Sequence, residues 1–201
     1  MKRLHPFTHF FFGMLILALT IYRVVAAENE NLANFSPFLA LVFCGAVYFR
    51  CSLMWLIPFG VLMVSEGILN KYYGLGWNSL SFVVRLLCFG SALGLGLLVA
   101  QKRSWLSLAG GCLAGSIIFY FGTNSLCWLQ EPSYAKSFAG WWQCMTLGLP
   151  GFPPTWVFLR NSLLSNFIFT GIFVTVMESV LAAAGKHSLL VRSQQVAVNT
   201  N

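Results

Sequence analysis

Long apolar runs separated by short polar breaks organise this chain. Residues 7–27, 53–69, 79–100, 104–128 and 155–184 each approach or exceed the roughly 20 apolar residues that carry a helix across about 30 Å of hydrocarbon. Residues 35–49 form a shorter run that needs help from its flanks. The pattern predicts an all-α integral membrane bundle of six transmembrane helices spanning residues 1–185, with a polar tail at 186–201.

The break between the last two runs is unlike the others. An apolar pattern ends in Thr123 and Asn124, a polar turn follows, and the chain re-enters over residues 137–149. It then breaks at Pro150, Pro153 and Pro154 and descends past Arg160, Asn161, Ser165 and Asn166. A membrane protein tolerates such a break only where protein or a water-filled cavity covers the freed backbone, so function is sought there first.

Charge gives the threading a direction. Lys2, Arg3, Arg50, Lys102, Arg103, Lys186 and Arg192 fall on one side of six spans, whereas the opposite loops hold Lys71 and Lys136 with Glu28, Glu30 and Glu131. The positive-inside pattern places both termini in the cytoplasm and the chain in the inner membrane. The net charge of +7 therefore reflects topology and implies no nucleic-acid partner. Residues 1–27 also fit a secretory signal ending in Val25-Ala26-Ala27, and cleavage there would leave every later loop on the same side.

Several polar residues sit where a bilayer makes them costly. Glu66 lies near the outer end of the third run, and Arg85, about two turns into the fourth, is its expected partner. Arg23 and Arg160 thread to the same depth, as do Asn34, Asn124 and Asn161. Asn34-Phe35-Ser36-Pro37 reads as a capped helix start, with Asn34 or Ser36 covering first-turn N–H groups, or as a helix N-terminus offered to an anion. Convergence at one depth predicts an outward-facing polar pocket formed by Arg23, Asn34, Ser36, Glu66, Arg85, Asn124, Arg160, Asn161 and Asn166. Its excess of arginine favours a small anionic or carboxylate-bearing ligand, with Arg160 as its main charge partner and Asn34 and Asn124 orienting it. The alternative is a buried Glu66–Arg85 pair with Arg23 and Arg160 snorkelling to the headgroups.

Other features are read more plainly. Trp128, Tyr134, Trp141 and Trp142 fall where an aromatic belt belongs. Six scattered cysteines, without Cys-x-x-Cys spacing, are expected to pack as small apolar side chains, with no disulfide framework and no metal. Gly90-x-x-x-Gly94, Ala92-x-x-x-Gly96 and Gly111-x-x-x-Gly115 fit close helix packing or a docking face for another subunit. The chain has no Asp, and His5, His9 and His187 lie at the cytoplasmic ends, so no enzyme activity and no cofactor are expected.

Taken together, Arg23, Asn34-Phe35-Ser36-Pro37, residues 45–49, Ser65-Glu66, Asn70-x-Tyr72-Tyr73-Gly74, Thr123-Asn124, Trp128, Tyr134-x-Lys136-Ser137-x-Ala139-Gly140, Gly148-Leu149-Pro150 and Asn166 resemble an uncharacterised family of small bacterial membrane proteins. That family is similar to the substrate-binding S components of energy-coupling factor (ECF) transporters, over roughly residues 20–175 of this chain. The resemblance implies a six-helix S-component-like bundle that captures a small molecule from outside and relies on a separate ATP-driven module. The chain carries no Walker-type phosphate loop of its own. A non-transporting scaffold of a cell-envelope assembly complex is the alternative expectation.

Overall fold

The computed structural model describes residues 21–22, 26, 29, 32, 34–49, 60–61, 63–65, 67–68, 70–71, 74, 79–183, 185, 188 and 190. Among these residues all regular secondary structure is helical. The helices with defined bounds are α1 (Phe38–Tyr48), α2 (Ser79–Val99), α3 (Trp105–Gln130), α4 (Phe138–Met145) and α5 (Trp156–Ala183).

Among the described residues three helices, α2, α3 and α5, are long and apolar enough to cross a membrane. Of the six expected spans, those at 7–27 and 53–69 fall largely outside the described residues, and the run at 35–49 forms a helix of only 11 residues. That length gives α1 about 16 Å, half of a bilayer's hydrocarbon thickness. Asn34, in a left-handed conformation at φ 61, and Pro37 at the N-cap delay the helix start, and Phe49 ends it in an extended conformation.

α1 is apolar all round, which is the composition of a helix enclosed by others. Nine of its residues are buried. Its first turn packs level with Phe89 and Ala92 of α2, and it shares a small cavity with Gly115 of α3 and Asn166 of α5. These neighbours lie near the middles of their helices. Its second half packs Phe43, Cys44 and Val47 against Val99, Leu108, Cys112 and Val174. α1 therefore fills only the half of the bundle nearer the α2–α3 turn.

Small residues make this enclosure possible. A Cβ on Gly96 would stand 2.5 Å from the Phe43 carbonyl oxygen, and one on Gly111 would stand 2.6 Å from the Phe43 ring. Ala92, Gly96, Gly111 and Gly115 thus pack inward on α1, whereas Gly90 and Gly94 face open space.

α4 occupies the other half of the bundle, re-entering within residues 137–149 as the break pattern predicts. Ser137 caps it by accepting from Gly140 N–H at 3.3 Å. It ends at Met145, and the chain turns away at Gly148, whose φ of 73 suits glycine and whose N–H donates to the Gln143 carbonyl at 2.8 Å. The Tyr120 hydroxyl donates to the Met145 carbonyl, and the Cys144 thiol donates to the Asn124 carbonyl at 3.4 Å. Tyr120 lies ten residues before the end of α3, so the tip of α4 reaches about 15 Å down that helix.

Candidate functional site

The polar residues divide between an interior seam and a lateral groove. The seam is built by α5, whose buried residues Asn161, Ser162, Ser165, Asn166 and Thr170 recur at helical spacing. Opposite them, α3 buries Ser116, Tyr120 and Asn124. Burial obliges each group to find a partner. Asn166 Nδ2 donates to Ser116 Oγ at 2.6 Å, and Ser116 donates to the Cys112 carbonyl at 2.9 Å. The Cys112 and Cys44 thiols both donate to Thr170 Oγ1, at 3.2 and 3.6 Å, which ties α1, α3 and α5 together. Asn124 Nδ2 turns back to the Tyr120 carbonyl at 2.8 Å.

Asn124, Asn161 and Asn166 thus lie inside the bundle, but Arg160 does not. One residue is a rotation of about 100° on a helix, so burying Asn161 turns Arg160 outward. Its guanidinium lies 5.6 Å from the Trp156 ring centroid and donates to Asn161 Oδ1 at 3.2 and 3.3 Å. Arg160, expected to be the main charge partner of the ligand, thus stands on the outer face of α5 beside Trp156. Asn34 is exposed in the approach to α1, and Ser36 Oγ accepts from Phe38 N–H at 3.5 Å. Arg23 and Glu66, and with it the Glu66–Arg85 pair, lie outside the described residues.

Arg85 belongs to the groove between α2 and α3. With Ser81, Thr123, Cys127, Gln130 and Glu131 it lines a cavity of about 300 Å³. The Ser81 hydroxyl donates across it to Gln130 Oε1 at 3.4 Å. At its end the Glu131 carboxylate accepts from the Ser133 hydroxyl at 2.7 Å and the Ser133 N–H at 3.1 Å. Those two bonds hold the carboxyl below its ordinary titration range and keep it anionic. The groove offers a guanidinium, a carboxylate, an amide and hydroxyls, whereas the seam offers neutral groups.

One charged residue of α5 escapes the sequence reading. The Glu178 carboxylate accepts from the Tyr48 hydroxyl at 2.9 Å, and Arg103 in the α2–α3 turn lies within electrostatic range of the same hydroxyl. The rule that singles out Glu66, a carboxylate inside an apolar run, applies equally to Glu178. Among the described residues no group of three or more His, Cys, Asp or Glu side chains is placed to hold a metal ion.

No curated protein and no solved structure was found to match the chain. Over residues 4–189, covering every helix described above, the chain matches the model of a family of unknown function, DUF6580, and it belongs to that family.

Proposed function

We propose that this protein is the substrate-binding membrane component of a small-molecule uptake system, resembling an ECF S component and lacking an ATPase of its own. In this reading six spans cross the inner membrane with both termini in the cytoplasm. The ligand is a small carboxylate-bearing molecule taken from outside. Arg85 grips the carboxylate with paired hydrogen bonds, a geometry lysine does not reproduce. Arg23 and Glu66, which thread to the same depth, complete the set of candidate contacts, whereas Asn124, Asn161 and Asn166 lie in the seam, Arg160 on the outer face of α5, and Asn34 and Ser36 at the approach to α1.

The observation that carries the reading is Arg85 in a groove of about 300 Å³ with Ser81, Thr123 and Gln130. That volume is at the lower end of about 300–1,000 Å³ for small-molecule sites, and an intramembrane arginine is a functional candidate by default. A thermal-shift screen of the purified protein against acidic, neutral and cationic metabolites tests it. Carboxylates should stabilise the wild type and lose that effect in Arg85→Gln. Hits confined to cations, or equal stabilisation of both proteins, would refute it.

A scaffold role is the second reading, favoured by the open Gly90–Gly94 face, which is flanked by exposed Leu86, Leu87, Leu97 and Leu98. It predicts partner-dependent co-purification and no response to any metabolite.

A further inference from the structure

We infer that the bundle holds one tightly bound water molecule where the first turn of α1 meets Asn166 and Thr170. Asn166 is 3% exposed, and its Oδ1 is buried and accepts no hydrogen bond from any described group. This amide is oriented by its other atom, because Nδ2 is committed to Ser116 Oγ at 2.6 Å. An amide oxygen left bare in an apolar interior costs about 1–3 kcal/mol, so the fold is expected to satisfy it.

The place for the guest is a cavity of about 10 Å³ that Asn166 lines together with Thr170, Cys112, Leu39, Phe43 and Gly115. A buried water needs about 10–15 Å³ measured this way and two to four polar partners, so the space fits one water and nothing larger. The hydrogen-bonding pattern is also complementary. Thr170 Oγ1 already receives the Cys112 and Cys44 thiols, so its own hydrogen is the group left to donate. A water there donates to Asn166 Oδ1 and accepts from the Thr170 hydroxyl. A bare monovalent cation is disfavoured, because the amide and the hydroxyl are the only side-chain oxygens among the described residues lining the cavity.

The bound water closes a network running Ser116, Asn166, water, Thr170, Cys112 and Cys44, and so adds to the thiol–hydroxyl ties between α1, α3 and α5. Gly115→Ala in the full-length protein tests this. Gly115 lines the cavity, and a methyl there stands at ordinary contact distances, 3.8 Å from Leu39 and 3.9 Å from Leu95, so no clash prevents folding. Gly110→Ala on the same helix meets nothing within 4 Å and calibrates the helix-propensity gain. If water occupies the cavity, Gly115→Ala displaces it and lowers Tm relative to Gly110→Ala, and the deficit disappears in an Asn166→Leu background. An experimental structure of the wild type should show an ordered peak within hydrogen-bonding distance of Asn166 Oδ1 and Thr170 Oγ1. A Gly115→Ala protein as stable as Gly110→Ala or more so, or a cavity without density at a resolution that shows other buried waters, would overturn the inference.

Discussion

The Tyr48 hydroxyl donates a 2.9 Å hydrogen bond to Glu178 Oε1 and so fastens the last turn of α1 to α5. The second carboxylate oxygen, Oε2, is buried and accepts no hydrogen bond among the described groups. Tyr48→Phe removes the hydroxyl that donates to this carboxylate and should cost about 1–3 kcal/mol of stability. In a double-mutant cycle with Glu178→Gln, unfolding in mild detergent should reveal coupling between the two changes. Strictly additive losses would show that the bond contributes nothing.

Gly96 and Gly90 lie about 1.7 turns apart on α2 and so face different surroundings. Alanine at Gly96 drives a methyl against the Phe43 backbone carbonyl, which cannot swing aside, and should destabilise by about 1–3 kcal/mol. Alanine at Gly90 meets open space and should be neutral or stabilising by up to about 1 kcal/mol. Equilibrium unfolding of the two variants side by side checks the ordering, and equal effects would contradict the packing of α1 on α2.

Tyr120 holds the tip of α4 by donating to the Met145 carbonyl. Tyr120→Phe should loosen α4 and expose Cys144, which is 1% exposed in the intact protein. Thiol labelling in a Cys127→Ser background, which removes the cysteine exposed among the described residues, should run faster at Cys144 than in the parent, with the modified site read by mass spectrometry. Unchanged labelling would mean that α4 is held by other contacts.

The Glu131 turn should carry a pH signature of definite sign. Hydrogen bonds from Ser133, the hydroxyl first and the backbone N–H second, lower the carboxyl from its ordinary 4.5. A carboxyl with a depressed folded-state value stabilises the fold above its unfolded value and loses that contribution as pH falls through the lower one. The turn should therefore persist at neutral pH and release only in acid. Ser133→Ala should raise the Glu131 titration midpoint measured by NMR, and an unmoved midpoint would exclude the hydrogen bonds as its cause.

Much of the helical framework is legible in the sequence because α2, α3 and α5 are set by run length alone, which hydropathy reports directly. The re-entry at α4 is also legible, since Ser137, Gly148 and the prolines punctuate it by local backbone chemistry. The length of α1 is not. Apolar residues continue on both sides of Phe38–Tyr48, and only the conformations of Asn34 and Phe49 stop the helix. Depth along the membrane can be counted from a sequence, but the face a residue presents depends on which neighbours enclose its helix. That is why Arg160 and Asn161, adjacent in depth, point to different surroundings, and why Asn124 uses its own helix carbonyl. Glu178 was within reach of the same rule that identifies Glu66.

The shortness of α1 also governs how the protein is made. An 11-residue segment crosses only about half the hydrocarbon, so it gains too little from lipid to settle as an independent span. Its stabilising walls are synthesised later: Cys44 meets Thr170 across 126 residues, and Tyr48 meets Glu178 across 130. Until the ribosome has passed α5, α1 has no completed seat. The walls from α2 and α3 are in place before α5 adds the last one, so truncation before α5 should leave α1 short of its Thr170 and Glu178 contacts.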